Sequence, residues 1–136
     1  RAAERCLALG AKRAVPLPVS APFHSSLMKP AGEKLRGCLA KVAIAAPKLR
    51  LVNNVDVKVE SAPEAIKEAL VRQASSPVRW VETIRAMRAQ GVTHVMECGP
   101  GRVLAGMVKR IDKGIQVASL GERWAIEKAL QSLKGA

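Results

Sequence analysis

The sequence is poor in aromatic residues: Phe23, Trp80 and Trp124 are all it has, 2% of 136 residues, and tyrosine is absent. Proteins that hold single-stranded nucleic acid stack bases on aromatic faces. The shortage therefore argues against that class, even though 23 Lys+Arg against 11 Asp+Glu give a net charge of +12. The basic residues are also scattered, with no run of five or six like charges. Long apolar runs are missing too. The longest uninterrupted aliphatic stretch, Val42 to Ala46, falls far short of the ~20 residues that cross a bilayer. Cysteine is scarce, and Cys6, Cys38 and Cys98 form no CxxC pair. An odd count at such spacing is expected of reduced thiols in a cytoplasmic compartment. Two histidines, His24 and His94, have no carboxylates arranged beside them for a metal site. A transmembrane helix protein, a disulfide-framed mini-protein and a collagen-like chain are excluded.

What is present supports a packed core, because 49% of residues are apolar. The length suits one small domain. No initiating Met, signal peptide or transit peptide opens the sequence. Ala2, Cys6, Leu7 and Leu9 share a helical face that Gly10 ends, with no N-cap in view, as expected of a portion of something longer. Arg13 to Ser20 reads as a short strand carrying two prolines, which place it at an edge or an exit. Leu27, Ala31, Leu35, Cys38/Leu39 and Val42 recur at helical spacing up to Pro47, and Ser25 or Ser26 is available as a cap. A strand over Leu49–Val52 leads through Asn53-Asn54 into an extension over Val55–Val59.

Ser61-Ala-Pro-Glu64 has the form of a capping box opening a helix that ends near Gln73. Trp80, Val81, Ile84 and Met87 mark the next helix, stopped by Gly91. A strand over His94–Cys98, a helix carrying Val103, Leu104, Met107, Val108 and Ile111, a strand over Ile115–Leu120 and a last amphipathic helix with Trp124, Ile126, Ala129, Leu130 and Leu133 complete the chain. Strands alternating with helices predict an α/β fold with a largely parallel sheet. Ligands in such sheets bind at the carboxyl ends of strands, where His24 and Gly99–Gly101 both fall.

His24, in a loop before a helix, is either a general base poised near neutral pH or a solvated loop histidine. A nucleophile should accompany a base, but no Gly-x-Ser-x-Gly elbow exists in the sequence. Cys38 and Cys98 fall on apolar faces, where burial would make them inert. Gly99-Pro100-Gly101-Arg102 is either a phosphate cradle at a helix N-terminus or, the favoured reading, an ordinary strand-to-helix turn. His94 reads as structural. Lys109 and Arg110 sit at a helix C-terminus, where the dipole favours cations.

Several segments together resemble the bacterial malonyl-CoA:acyl carrier protein transacylases. They are Pro16–His24, Ser25–Pro30, Val52–Val57, Leu70–Gln73, Ser76–Trp80 and Glu97–Leu104, in that order and across essentially the whole chain. The resemblance is to the C-terminal portion of that family, whose members are roughly twice this length, the usual size of a single α/β enzyme. It implies that residues 1–20 are the last helix and strand of a small ferredoxin-like subdomain. Residues 21–136 would be the closing part of a large α/β-hydrolase-like subdomain with a mostly parallel sheet.

The resemblance further implies a ping-pong malonyl transfer in fatty-acid synthesis, with a polyketide role as the other setting. His24 would be the base and Gln73 the residue whose backbone carbonyl orients it, with no metal and no cofactor beyond the substrates, malonyl-CoA and the carrier's phosphopantetheine. Phe23 corresponds to a residue that malonyl-selective relatives carry beside the base. Acyl carrier proteins are acidic, so Arg13, Lys109 and Arg110 are candidates for docking one. The family's nucleophilic serine, malonyl-binding arginine and oxyanion-hole glutamine have no counterpart among these 136 residues. The chain alone is therefore expected to be inactive and to need the N-terminal part of such an enzyme. The competing readings are a non-catalytic fragment that binds the carrier protein and, least favoured, a basic nucleic-acid binder.

Overall fold

In the computed structural model, which describes residues 1–134, helices and strands alternate regularly only from Trp80 onward, and not throughout as the sequence pattern predicts. The elements are α1 (Ala2–Ala8), a 3-10 turn (Ser26–Met28), α2 (Lys29–Leu39), β1 (Leu51–Val52), β2 (Val59–Glu60), α3 (Pro63–Ser75), α4 (Trp80–Ala89), β3 (His94–Glu97), α5 (Val103–Ile111), β4 (Gln116–Ser119) and α6 (Arg123–Lys134).

Strands β3 and β4 pair in parallel, His94 opposite Gln116 and Glu97 opposite Ser119, with α5 as the crossover between them. This is the βαβ unit that the alternating pattern predicts. Its core is small. Ile84 of α4 and Val108 of α5 are fully buried against Ile115, and Trp80, Met87, Val95, Ile111 and Val117 pack around them. Burying one such aliphatic side chain is worth about 1.5–3 kcal/mol, so Ile84 and Val108 anchor this half. Gly91 ends α4 with φ +88°, and the amides of Gly91 and Val92 return to the carbonyls of Arg88 and Met87. That pairing needs a left-handed residue, which glycine adopts without strain.

The second pair, β1–β2, is antiparallel, with Leu51 opposite Glu60 and Val52 opposite Val59. The strands thus form two separate two-stranded sheets, one antiparallel and one parallel, instead of one largely parallel sheet. Instead of one extended run through Val59, the chain turns back on itself between Asn53 and Lys58. The Asp56 amide donates to Asn53 Oδ1 at 2.7 Å, and the Asn53 amide donates to the Lys58 carbonyl at 2.9 Å. Val57 sits at φ +58°, a conformation that is an outlier for a β-branched residue. Helices α2 and α3 pack through Gly32, where a Cβ would stand 3.3 Å from the Val71 carbonyl oxygen. Arg36 of α2 pairs with Glu68 of α3 across the same contact.

Five expectations from the sequence do not hold. Arg13–Ser20 forms no strand. Among the described residues no strand pairs with it, and Pro16 and Pro18 have no N–H to offer one. The face of α2 that carries Leu35 and Cys38 stays exposed, because α2 buries only Gly32. Cys38 and Cys98 are both exposed rather than buried. The capping box is not closed either: Ala62 is the N-cap of α3 and no side chain caps it. Ser25, likewise, donates its hydroxyl to the Pro22 carbonyl at 2.7 Å instead of capping the next turn.

Candidate active site around His24

The loop between the 11–20 segment and α2 presents His24 to solvent with φ +58°. Histidine visits this left-handed region more readily than most non-glycine residues. The turn is closed on its N-terminal side, where the Phe23 amide donates to the Ala21 carbonyl at 2.9 Å.

One contact fixes the ring. His24 Nδ1 lies 3.0 Å from the backbone carbonyl oxygen of Gln73. A carbonyl only accepts, so Nδ1 carries the proton and donates it. The neutral ring then keeps the lone pair on Nε2, where an incoming O–H or S–H can be deprotonated. The partner adds no charge, in contrast to the carboxylate of a Ser-His-Asp triad.

The Gln73 carbonyl is available for a local reason. In α3 it would accept from the amide four residues on, but that residue is Pro77, which has no N–H. Ser76, the residue before this proline, is extended at φ −118°, ψ 154° and ends the helix. A carbonyl orphaned at a helix end needs an outside donor, and the imidazole supplies it. The Gln73 side chain is tied down separately, donating through Nε2 to Asn54 Oδ1 at 2.7 Å. Sequence reasoning reached His24 and Gln73 but missed Asn54 and Pro77, although the four-residue spacing from Gln73 to Pro77 was there to read.

Phe23 is exposed beside His24. Lys109 and Arg110 lie exposed in the last turn of α5. Lys109 lines an open groove of about 500 Å³ between α5, β4 and α6, with Arg102 and Lys128 on its other walls. Arg13 lies exposed in the segment that precedes His24. Among the described residues no hydrogen bond or ion pair joins it to α5. His94 opens β3, with Thr93 Oγ1 2.9 Å from its Nδ1 and a buried Nε2 that has no partner among the described residues.

The turn at Gly99–Gly101 is not an open anion site. Glu97 folds back over it, and its carboxylate accepts from the amides of Leu104 at 3.1 Å and Ala105 at 2.9 Å. Gly99 and Gly101, at φ +137° and +94°, allow the reversal. The negative group favoured at a helix N-terminus is supplied by the chain itself. No group of three or more potential metal ligands occurs among the described residues, and none of the described helices is long and apolar enough to cross a membrane.

Comparison with known proteins adds the decisive observation. The chain is 51% identical over 131 residues, 96% of its length, to the malonyl CoA-acyl carrier protein transacylase of Escherichia coli strain K12. The chain is a relative of the malonyl CoA-acyl carrier protein transacylases. The Bacillus subtilis transacylase is 45% identical over 125 residues. The crystal structure of an acyl-carrier-protein S-malonyltransferase from Burkholderia pseudomallei 1710b superposes with a TM-score of 0.91 at 58% identity, over 96% of this chain and 42% of that one. A malonyl-transacylase in complex with its type II PKS acyl-carrier protein gives a TM-score of 0.91 at 47% identity, with the same coverage. No family model matches the chain. The chain spans about 42% of the length of the Escherichia coli transacylase it matches, consistent with a C-terminal portion of such an enzyme.

Proposed function

We propose that this chain supplies the general base for malonyl transfer from malonyl-CoA to the phosphopantetheine thiol of an acyl carrier protein. The single observation that carries this reading is the bond from His24 Nδ1 to the Gln73 carbonyl, 3.0 Å, which leaves Nε2 free as an acceptor. In the first half-reaction a serine outside these residues attacks the thioester carbonyl of malonyl-CoA. His24 Nε2 takes the serine proton and passes it to the departing CoA thiolate, leaving a malonyl-serine ester and free CoA. In the second half His24 takes the proton of the carrier's thiol, the thiolate attacks the ester, and the serine oxygen recovers that proton. A general base of this kind contributes about 10²–10⁴-fold.

On the same reading, residues 1–20 close a small subdomain and residues 21–136 complete a large one. The exposed ring of Phe23 narrows the space for a branched acyl group. One methyl is worth about 1–3 kcal/mol of discrimination, enough to favour malonyl over methylmalonyl. Arg13, Lys109 and Arg110 offer positive charge to an acidic carrier protein. Since no nucleophile elbow occurs in the sequence, the chain alone should not turn over.

The test is a chimera in which residues 1–136 replace the matching segment of the Escherichia coli transacylase. It should transfer malonyl groups, and its His24→Ala variant should lose at least about a hundredfold in rate. A His24→Ala chimera with undiminished transfer would refute the proposal. Phe23→Ser in the same chimera should lower the preference for malonyl over methylmalonyl by about tenfold, and an unchanged ratio would remove Phe23 from the account.

A further inference from the structure

The Gln73 carbonyl is held in place from a second direction, and one residue does the holding. Asn54 accepts the Gln73 side-chain amide on Oδ1 at 2.7 Å, and its own backbone carbonyl accepts the Arg79 amide at 2.8 Å. Gln73 lies in the last turn of α3, and Arg79 is the N-cap of α4. Asn54 therefore ties down both ends of the short link that contains Pro77. It is itself well supported. Val55 beside it is buried, and Asp56, two residues on, pairs with Arg72, the neighbour of Gln73 on α3.

We propose that Asn54 is a positioning residue for His24, acting through Gln73 on the orientation and tautomer of the imidazole. The inference rests on the reading of His24 as a base, but its geometry stands on these contacts. Helix ends fray, and α3 has a proline just beyond its last turn. A hydrogen bond weakens steeply as its angle departs from linear. Small rotations of the Gln73 peptide would therefore release Nδ1 and let the ring exchange tautomers. The side-chain bond to Asn54 opposes that rotation. Gln73 thus works twice: its backbone holds the histidine, and its side chain holds its backbone.

The test is ¹⁵N NMR of the His24 imidazole in the chimera described above, comparing Asn54→Ala, Asn54→Asp and Gln73→Met. Aspartate keeps an oxygen to accept the Gln73 amide. Gln73→Met keeps the backbone carbonyl and removes only the side-chain bond. Asn54→Ala and Gln73→Met should each lose the protected Nδ1–H resonance of His24 and shift the Nδ1 signal toward its unprotonated position. The double variant should go no further than either single one, and Asn54→Asp should stay near wild type.

Wild-type His24 signals in a folded Asn54→Ala chimera would overturn the proposal. So would an Asn54→Asp chimera as disturbed as Asn54→Ala. If Asn54→Ala does not fold, Gln73→Met decides alone, since it leaves the hairpin turn intact, and an undisturbed imidazole there overturns the proposal. In the chimera, Asn54→Ala should lower kcat more than it raises KM for malonyl-CoA. A displaced tautomer with an unchanged transfer rate would uphold the positioning and refute the base reading instead, so the two failures are distinguishable.

Discussion

His24 holds a proton against the carbonyl of Gln73, and Pro77 is the reason that carbonyl is free. The proline leaves the helix one acceptor too many, four residues before it, and the loop histidine takes it up. A missing N–H in one segment thus sets which nitrogen of a side chain in another segment carries a lone pair.

Pro77→Ala should weaken this arrangement. Alanine restores an amide at the i+4 position and lifts the constraint on Ser76, so α3 can extend and claim the Gln73 carbonyl for itself. The expected result is a newly protected amide at residue 77 in hydrogen exchange, together with a weaker Nδ1–H signal from His24. An unprotected amide with an unaltered imidazole would show that the proline is not what frees the carbonyl.

Glu97 acts as a remote cap for α5, and its loss should destabilise the chain. Removing a capping group costs about 0.5–2 kcal/mol. Glu97→Ala should lower the stability measured by urea denaturation by about 1 kcal/mol, and Glu97→Gln, which keeps one accepting oxygen, by less. Equal losses in the two variants would contradict the capping assignment.

The Arg79 guanidinium, hydrogen-bonded to Glu82 at 2.7 and 2.8 Å, holds that carboxyl below the ordinary glutamate range. A folded-state value below the unfolded one means that the pair contributes above the unfolded value and that its contribution is lost as pH falls through the folded one. The pair is exposed, so its weight in stability is small. Titration followed at the Glu82 carboxyl carbon should give a midpoint below that of an unpaired glutamate. Arg79→Met should move it upward, and an unmoved midpoint would break the attribution.

Charge reversal at Lys109 and Arg110 separates the two substrates of the proposed reaction. Docking between charged surfaces mainly speeds association and weakens with salt. In the chimera, Lys109→Glu with Arg110→Glu should raise the apparent KM for the carrier protein about tenfold or more and leave that for malonyl-CoA unchanged. An unchanged carrier KM would exclude both residues from docking.

The helices were legible because their periodicity is local. The apolar positions of α3, α4 and α5 recur at the spacing that buries Ile66, Ile84 and Val108. The parallel pair followed from the alternation of elements. The strand over Arg13–Ser20 failed because strand formation is a property of a pair, and a sequence does not display its partner. Cys38 and Cys98 were misplaced for a related reason: an apolar face is buried only where another element covers it. His24 is a candidate base from its loop position alone, but local chemistry leaves it level with a solvated histidine, and the pairing with Gln73 comes from motif resemblance. Asn54 escaped notice because its role exists only once hairpin and helix are brought together.

Among the described residues each strand of the β3–β4 pair keeps one edge without a partner, and side chains such as Leu9, Leu17, Leu27 and Leu49 are largely exposed. Open edges and bare apolar surface are templates for self-association. The charge of +12 opposes this by keeping copies apart. That repulsion reaches about 10 Å at 0.1 M salt and only about 3 Å at 1 M. The chain should therefore behave as a salt-sensitive colloid, dispersed in dilute buffer and clustering as ions are added. The concentrated salt often used to keep a basic protein in solution would be the wrong choice here.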